Sequence, residues 1–138
     1  MFMSNSQTVS LLRTVFIFVI AFLTASCGGV ETTPTDIVAH YYSAIKEGDA
    51  NNAASFFADE AVIITPSGNV ITGIDAIKGK FIPYDLQYMD HVEFLTDFTA
   101  NNGTLSWSQV WHDYNGDTLE NECEVTVENG KIVEWIFK

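Results

Sequence analysis

Three Asn-Gly pairs, Asn102-Gly103, Asn115-Gly116 and Asn129-Gly130, divide the second half of this chain into intervals of 13 and 14 residues. Asn and Gly both tolerate the positive φ that tight hairpin turns demand, so the pair is the strongest short hairpin signal. Each interval holds one long strand and its turn. The pattern predicts a four-stranded antiparallel meander from about His91 to Lys138.

The faces of that meander follow from alternation. Val92, Phe94 and Phe98 share one face of the first strand; Leu105, Trp107 and Trp111 share one face of the second. A two-residue turn at Asn102-Gly103 sets Phe98 opposite Trp107, Phe94 opposite Trp111 and Thr96 opposite Gln109. A three-residue loop, Asn115-Gly116-Asp117, then brings Cys123, Val125 and Val127 to the same face. A two-residue turn would press Glu120, Glu122 and Glu124 against the tryptophans, and the cost of burying those charges decides for the longer loop. In the last strand Val133, Trp135 and Phe137 are expected inward, ahead of Ile132 and Ile136.

Upstream, Thr33 or Thr35 caps a helix over 36–47 with Ile37, Tyr41, Ala44 and Ile45 as its apolar stripe. Gly48 stops it, and Asp49 caps a second helix to about Ala58. A short hairpin follows, 61–65 and 70–72 around Pro66-Ser67-Gly68-Asn69. Gly73 and Asp75 open a third helix with Ile74, Ile77 and Phe81 inward. Residues 82–90 (IPYDLQYMD) are expected to form an aromatic-rich loop over the mouth of a cavity, with Tyr84 and Tyr88 as its cover.

The first quarter of the chain has a different character. A polar start with Arg13 leads to an apolar core, TVFIFVIAFL, and then to Thr24, Ala25, Ser26 and Cys27. This is the layout of an export signal, and its core falls short of the ~20 residues of a membrane span. Leu23 to Cys27 (LTASC) resembles the lipobox of bacterial lipoproteins, although the leucine stands four places before the cysteine where three is usual. The resemblance implies cleavage of 1–26, a lipid on Cys27, a tether over 27–34, a domain over 35–138 and a place in the bacterial cell envelope. Ordinary cleavage after Ser26 would leave an unlipidated secreted protein.

Cys27 and Cys123 are the two cysteines, so a lipidated Cys27 leaves Cys123 without a disulfide partner, and no Cys/His spacing suits a metal. Neither cofactor nor metal is expected. From Cys27 onward five lysines face eighteen acidic residues. That balance argues against nucleic acid as a partner.

Tyr41–Asp49 (YYSAIKEGD), Phe56–Ala61 (FFADEA), Gly73–Phe81 (GIDAIKGKF) and Glu128–Glu134 (ENGKIVE) resemble the nuclear transport factor 2-like superfamily, in its SnoaL-like and ketosteroid-isomerase-like branch. The likeness runs from about Pro34 to the C-terminus. It implies an α+β, cone-shaped fold with three N-terminal helices packed on a curved antiparallel sheet. It also implies that Tyr41 occupies the place of the isomerases' oxyanion tyrosine. Thr65 and Cys123 stand where those enzymes carry their aspartates, which argues against isomerase chemistry of that kind.

The inward face supplies the pocket candidates Tyr41, Thr65, Thr96, Trp107, Gln109, Trp111, Cys123 and Trp135. Cys123 reads as a small buried hydrophobe, and Gln109 either lines the pocket or is satisfied in the core by Thr96 opposite, the two readings weighing equally. Proton transfer needs a base of tuned pKa in a dry site; His112 and Asp113, with Tyr41 as acid or oxyanion donor, are the candidates. His112 belongs to the outer sheet face and Asp113 to a strand end, so an internal carboxylate or histidine is missing from this reading. Three functions remain open. The first is non-catalytic binding of a small apolar molecule, the second a cofactor-free dehydratase, isomerase or hydrolase. The third is a structural module that forms a homodimer through the outer face at Ser106, Ser108, Val110 and His112.

Overall fold

The computed structural model of the chain describes residues 32–138, so the expected leader, its cleavage site and Cys27 lie outside the described residues. Helix α1 (Pro34–Lys46) begins where Thr33, not Thr35, caps it: Thr33 Oγ1 accepts from Asp36 N at 3.2 Å, and Asp36 Oδ2 accepts from Thr33 N at 3.1 Å. Two orphan N–H groups are satisfied reciprocally, and Pro34 fills a first-turn position that needs no donor. Ile37, Val38, Tyr41, Ala44 and Ile45 form its buried stripe. Helix α2 (Ala50–Ser55), capped by Asp49, is shorter than its sequence suggests. Phe57 already starts strand β1 (Phe57–Ile64), because the Phe56 carbonyl accepts from Ile132 N at 2.8 Å and draws the chain into the sheet.

After β2 (Val70–Thr72) the chain turns helical in a continuous run: α3 (Ile74–Ala76), a π-helical turn (Ile77–Phe81) and α4 (Ile82–Tyr88). The expected loop over 82–90 is therefore a helix that passes directly into strand β3 (Met89–Phe94). Pro83 locally interrupts the helical pattern of this run. It cannot donate to the carbonyl of Gly79, and its ring crowds that group; the preceding turn widens to π geometry and the helix continues. Ile77, Phe81, Ile82 and Asp85 all point into the core from this run.

The remaining strands are β4 (Thr99–Asn101), β5 (Thr104–Asp113), β6 (Thr118–Glu128) and β7 (Lys131–Phe137), and the sheet order is β2-β1-β7-β6-β5-β3 with β4 also on β5. The fold is α+β, helices against a curved sheet. The sheet is mixed rather than wholly antiparallel, because β1 runs parallel to β7. A strand made early in the chain thus completes the far edge of the meander.

Turn chemistry holds at two of the three Asn-Gly pairs; at the other only Gly116 takes positive φ, 90°, and Asn115 does not. Asn102 and Gly103 take φ of 49° and 80°, and Asn129 and Gly130 take 51° and 73°. Registers differ by two residues in two places. Between β4 and β3 the first meander strand is interrupted, so Phe94 faces Gln109 and Val92 faces Trp111, while Thr99 still pairs with Ser106 as the turn requires. Asp113 pairs across to Asp117 through its backbone N–H, which makes Tyr114-Asn115-Gly116 the loop and sets Trp107 opposite Cys123 and Gln109 opposite Asn121. A shift of two preserves the face, so Leu105, Trp107, Gln109, Cys123 and Val125 are buried together as the alternation demands. In β7 a bulge opposite Thr126 and Val127 lets Ile132 and Trp135 both turn inward, whereas Val133 stays half-exposed.

Trp135 is completely buried and packs against Tyr41, Phe57, Phe81 and Trp107, with ring centroids 5.2–6.3 Å away. Trp135→Ala should destabilise the fold by roughly 3–5 kcal/mol, read as the shift of the urea unfolding midpoint at constant slope. A loss below 1 kcal/mol would mean that this cluster does not hold helices to sheet.

Candidate functional site

Helix α4, strands β5, β6 and β7 and the β1–β2 turn enclose a cavity of about 430 Å³. Its walls are largely aromatic: Tyr42, Phe81, Tyr84, Trp111 and Phe137. Tyr84 lies nearly parallel to Trp111 at 6.1 Å, so α4 and β5 together form one wall. Thr65, Ser67 and Asn69 rim the entrance; their side chains bond to one another, with Thr65 Oγ1 and Asn69 Nδ2 each 3.0 Å from Ser67 Oγ. Lys80 is at the rim and exposed.

Two polar side chains reach the interior. Asn121 is 6% exposed and lines the cavity beside its neighbour on the same face, Cys123, whose thiol contacts Asn121 Oδ1 at 3.7 Å. Asp85 is also 6% exposed, and its Oδ2 accepts a 2.7 Å hydrogen bond from the fully buried Tyr41 hydroxyl. No Lys, Arg or His among the described residues pairs with Asp85. Burial without a counter-charge pushes this carboxyl up to about 7, and the Tyr41 hydrogen bond only partly opposes the shift. Burial likewise raises Tyr41 and Tyr42 well above the usual phenol range, Tyr41 further through the Asp85 charge. Both phenols therefore remain donors.

Behind the cavity a second polar group fixes one wall. Gln109 is fully buried; its Oε1 accepts from Trp107 Nε1 at 2.8 Å and from the Tyr42 hydroxyl at 3.1 Å. Two donors converging on one atom settle which end of the amide is the oxygen, and they hold the Tyr42 ring in the wall. Gln109 Nε2 is left without a partner among the described residues, a local cost of about 1–3 kcal/mol.

The pocket candidates of the sequence thus separate. Thr65 and Trp111 line the cavity, and Tyr41 lies beneath it in contact with Asp85. Trp107, Gln109, Cys123 and Trp135 form packed core behind it. Burial pushes the Cys123 thiol up to about 12; the Trp135 indole, which makes no hydrogen bond of ordinary geometry, opposes this only weakly. Thr96 is on the outside, where its hydroxyl accepts from Ser108 N at 2.8 Å, so Tyr42 and Trp107 take its place as partners, both on Gln109 Oε1. His112 is on the outer face, stacked on His91 at 4.1 Å and 3.5 Å from Glu93. Asp113 Oδ1 accepts from Asn115 N at 2.8 Å and Asp117 N at 2.9 Å, which makes it a loop-forming residue. Neither can serve the cavity as a base.

Sequence reasoning missed Asp85, Tyr42 and Asn121. The signals were present: Ile77, Phe81 and Asp85 recur at helical spacing, and Asn121 continues the alternation of Cys123 and Val125. Among the described residues no group of three or more His, Cys, Asp or Glu is placed to hold a metal, and no helix is long and apolar enough to cross a membrane.

The Nuclear transport factor 2 (NTF2) domain matches residues 35–109, more than half of the chain. The chain belongs to the nuclear transport factor 2 domain family. No curated protein matches it significantly. Solved structures that share the fold include a Sinorhizobium meliloti protein provisionally assigned as a polyketide cyclase, 20% identical over 75% of this chain and 94% of that one, TM-score 0.65. A Catenulispora acidiphila protein with a ketosteroid isomerase-like fold, solved in complex with trimethylamine, is 18% identical over 78% and 86%, TM-score 0.63. A de novo designed protein with a curved β-sheet reaches the same TM-score, 0.63, at 18% identity over 75% and 81%. At these identities the likeness is one of fold.

The raised Asp85 carboxyl contributes a pH dependence opposite to that of a paired surface carboxylate. A carboxyl whose folded pKa lies above its unfolded value near 3.8 stabilises the native state when protonated, and that contribution is lost as pH rises toward 7. Asp85→Asn keeps an acceptor for Tyr41 and removes the charge. The variant should match the parent at pH 4 and become more stable by a few kcal/mol above pH 7, on the order set by a three-unit shift. Paired urea titrations from pH 4 to 8 read this directly; a constant difference across that range would show that Asp85 titrates normally.

Proposed function

We propose that this NTF2 domain binds a small, largely apolar molecule in the α4–β5–β6–β7 cavity, exported and held at the bacterial cell envelope by lipid on Cys27. The cavity carries the reading. Its volume of about 430 Å³ falls in the range of sites that enclose most of a small ligand, and its mix of aromatic walls with a few inward polar groups is the usual composition of such sites. The Catenulispora relative in complex with trimethylamine is an instance of a small molecule held by a protein of this fold. The outer face at Ser106, Ser108, Val110 and His112 is the surface on which we place a second copy of the chain.

A second reading has a specific observation in its favour. Asp85, raised to about 7 and bonded to Tyr41, is equipped to exchange a proton near neutral pH. The internal carboxylate that the sequence reading lacked is therefore present, and cofactor-free proton transfer becomes the alternative to simple binding.

Native mass spectrometry, folded against denatured, should reveal a co-purifying molecule that Trp111→Ala loses. A clean apo mass, together with no binding from an apolar fragment set, would end the binding proposal. Cys27→Ala should move the protein from the membrane fraction to the soluble one; unchanged partitioning would remove the lipid anchor. For the alternative, deuterium at the α-carbon of a bound ketone should wash out in the parent and not in Asp85→Asn.

A further inference from the structure

The ligand class can be taken one step further, on the reading that the cavity is a binding site. We infer that the cavity selects organic cations, hydrophobic ammonium compounds whose charged head meets the Asp85 carboxylate and whose body is enclosed by the surrounding rings.

The inference starts from an imbalance. Asp85 is the one acidic side chain buried in the described residues, and the structure gives it a single partner, the neutral Tyr41 hydroxyl on Oδ2. Its Oδ1 has no hydrogen bond among the described residues, and the residue lines the cavity. The groups facing Asp85 are Tyr41 and Tyr42 from α1, Asn121 from β6 and, at the rim of its own helical run, the exposed Lys80. Both phenols stay protonated, and Lys80 makes no ion pair with it. The charge of a carboxylate here is thus left for a ligand to neutralise.

The walls suit the same ligand. Tyr42, Phe81, Tyr84, Trp111 and Phe137 surround the cavity, and the faces of such rings attract a cation within about 6 Å of their centroids. A quaternary or tertiary ammonium is weakly hydrated and loses less than a metal ion or a primary amine on entering an apolar space. An anionic ligand meets the opposite conditions: a buried acid, one solvated lysine and a protein whose formal net charge is −12. A neutral ligand fits the rings but leaves the carboxyl's burial uncompensated.

Benzyltrimethylammonium and its neutral carbon isostere, neopentylbenzene, separate these cases. Both would be measured by quenching of tryptophan fluorescence in the purified full chain between pH 5 and 8.5. The ammonium probe cannot titrate, so its pH profile reports the protein. Its affinity should rise about tenfold per pH unit until the carboxyl has ionised, and level off near pH 7–8. At pH 8 it should exceed the isostere by at least about tenfold, and Asp85→Asn should abolish that preference together with the pH dependence of cation binding. Trp111→Leu, which keeps the carboxylate, should weaken the cation severalfold and preserve the pH profile. If Asp85→Asn does not fold, the parent's pH profile and its cation-to-isostere ratio decide. An isostere bound as tightly as the cation, or a cation bound better at pH 5, overturns the inference and leaves the cavity as a site for neutral ligands. Failure of both probes and of the apolar fragment set overturns the binding reading as well.

Discussion

The structure depends on one indole. Trp135 lies where β7, α1, β1 and the π-helical turn meet, edge-on to Tyr41 and Tyr42, nearly parallel to Phe57 and Phe137, and in contact with Phe81 and Trp107. Offset and edge-to-face contacts of this kind add to what area burial alone supplies. They also fix angles. Trp135 packs against Tyr41, whose hydroxyl reaches Asp85, and against Phe81 and Phe137, which form cavity wall. The bulge in β7 that turns both Ile132 and Trp135 inward is therefore the local irregularity on which the site's geometry rests.

Against that cluster stands a set of groups that stability alone would not choose. Among the described residues Gln109 leaves its amide nitrogen unpartnered, and Asp85 is buried with no opposing charge. A core of this size would be steadier with Leu or Met at both places. Local violations of this kind, in a domain whose turns and caps otherwise obey their rules, concentrate where a protein meets something else. Gln109 and Asp85 act on the two adjacent tyrosines of α1: one holds the Tyr42 hydroxyl, the other receives that of Tyr41. The YY pair is thereby oriented from two sides, and both of its rings lie at the boundary between packed core and open cavity.

Fold class was legible in the sequence because it rests on robust signals. Asn-Gly turns at 102–103 and 129–130 and the alternation of Leu105, Trp107 and Gln109 survive any even slip of register, since a shift of two residues preserves the face. Exact partners were not legible. They depend on the break between Phe94 and Thr99 and on the length of the loop after Asp113, where one carboxylate caps two backbone N–H groups. The parallel pairing of β1 with β7 was equally out of reach, because it joins segments far apart in the chain. The site suffered most. Pro83 reads as the end of a helix by every local rule, yet the chain passes it with a widened turn. The helix beyond it carries Asp85, the one carboxylate among the described residues that lines the cavity.

That displacement bears on what the family can say about this member. By resemblance the catalytic aspartates of the isomerase branch belong on the sheet, at the positions of Thr65 and Cys123. Here one of those positions is a rim hydroxyl engaged in a turn and the other a thiol pushed far from ionisation. The carboxyl that lines the cavity is carried by α4 and accepts the Tyr41 hydroxyl there. A scaffold shared with a designed protein places no demand on which wall carries the charge. Here the interior is a largely aromatic cavity with an open rim. Within such an interior a single carboxyl without a cation sets the chemistry by itself: ionised, it calls for a positive partner; protonated, it becomes a donor. On the binding proposal, the charge of the bound molecule selects between these two states of Asp85.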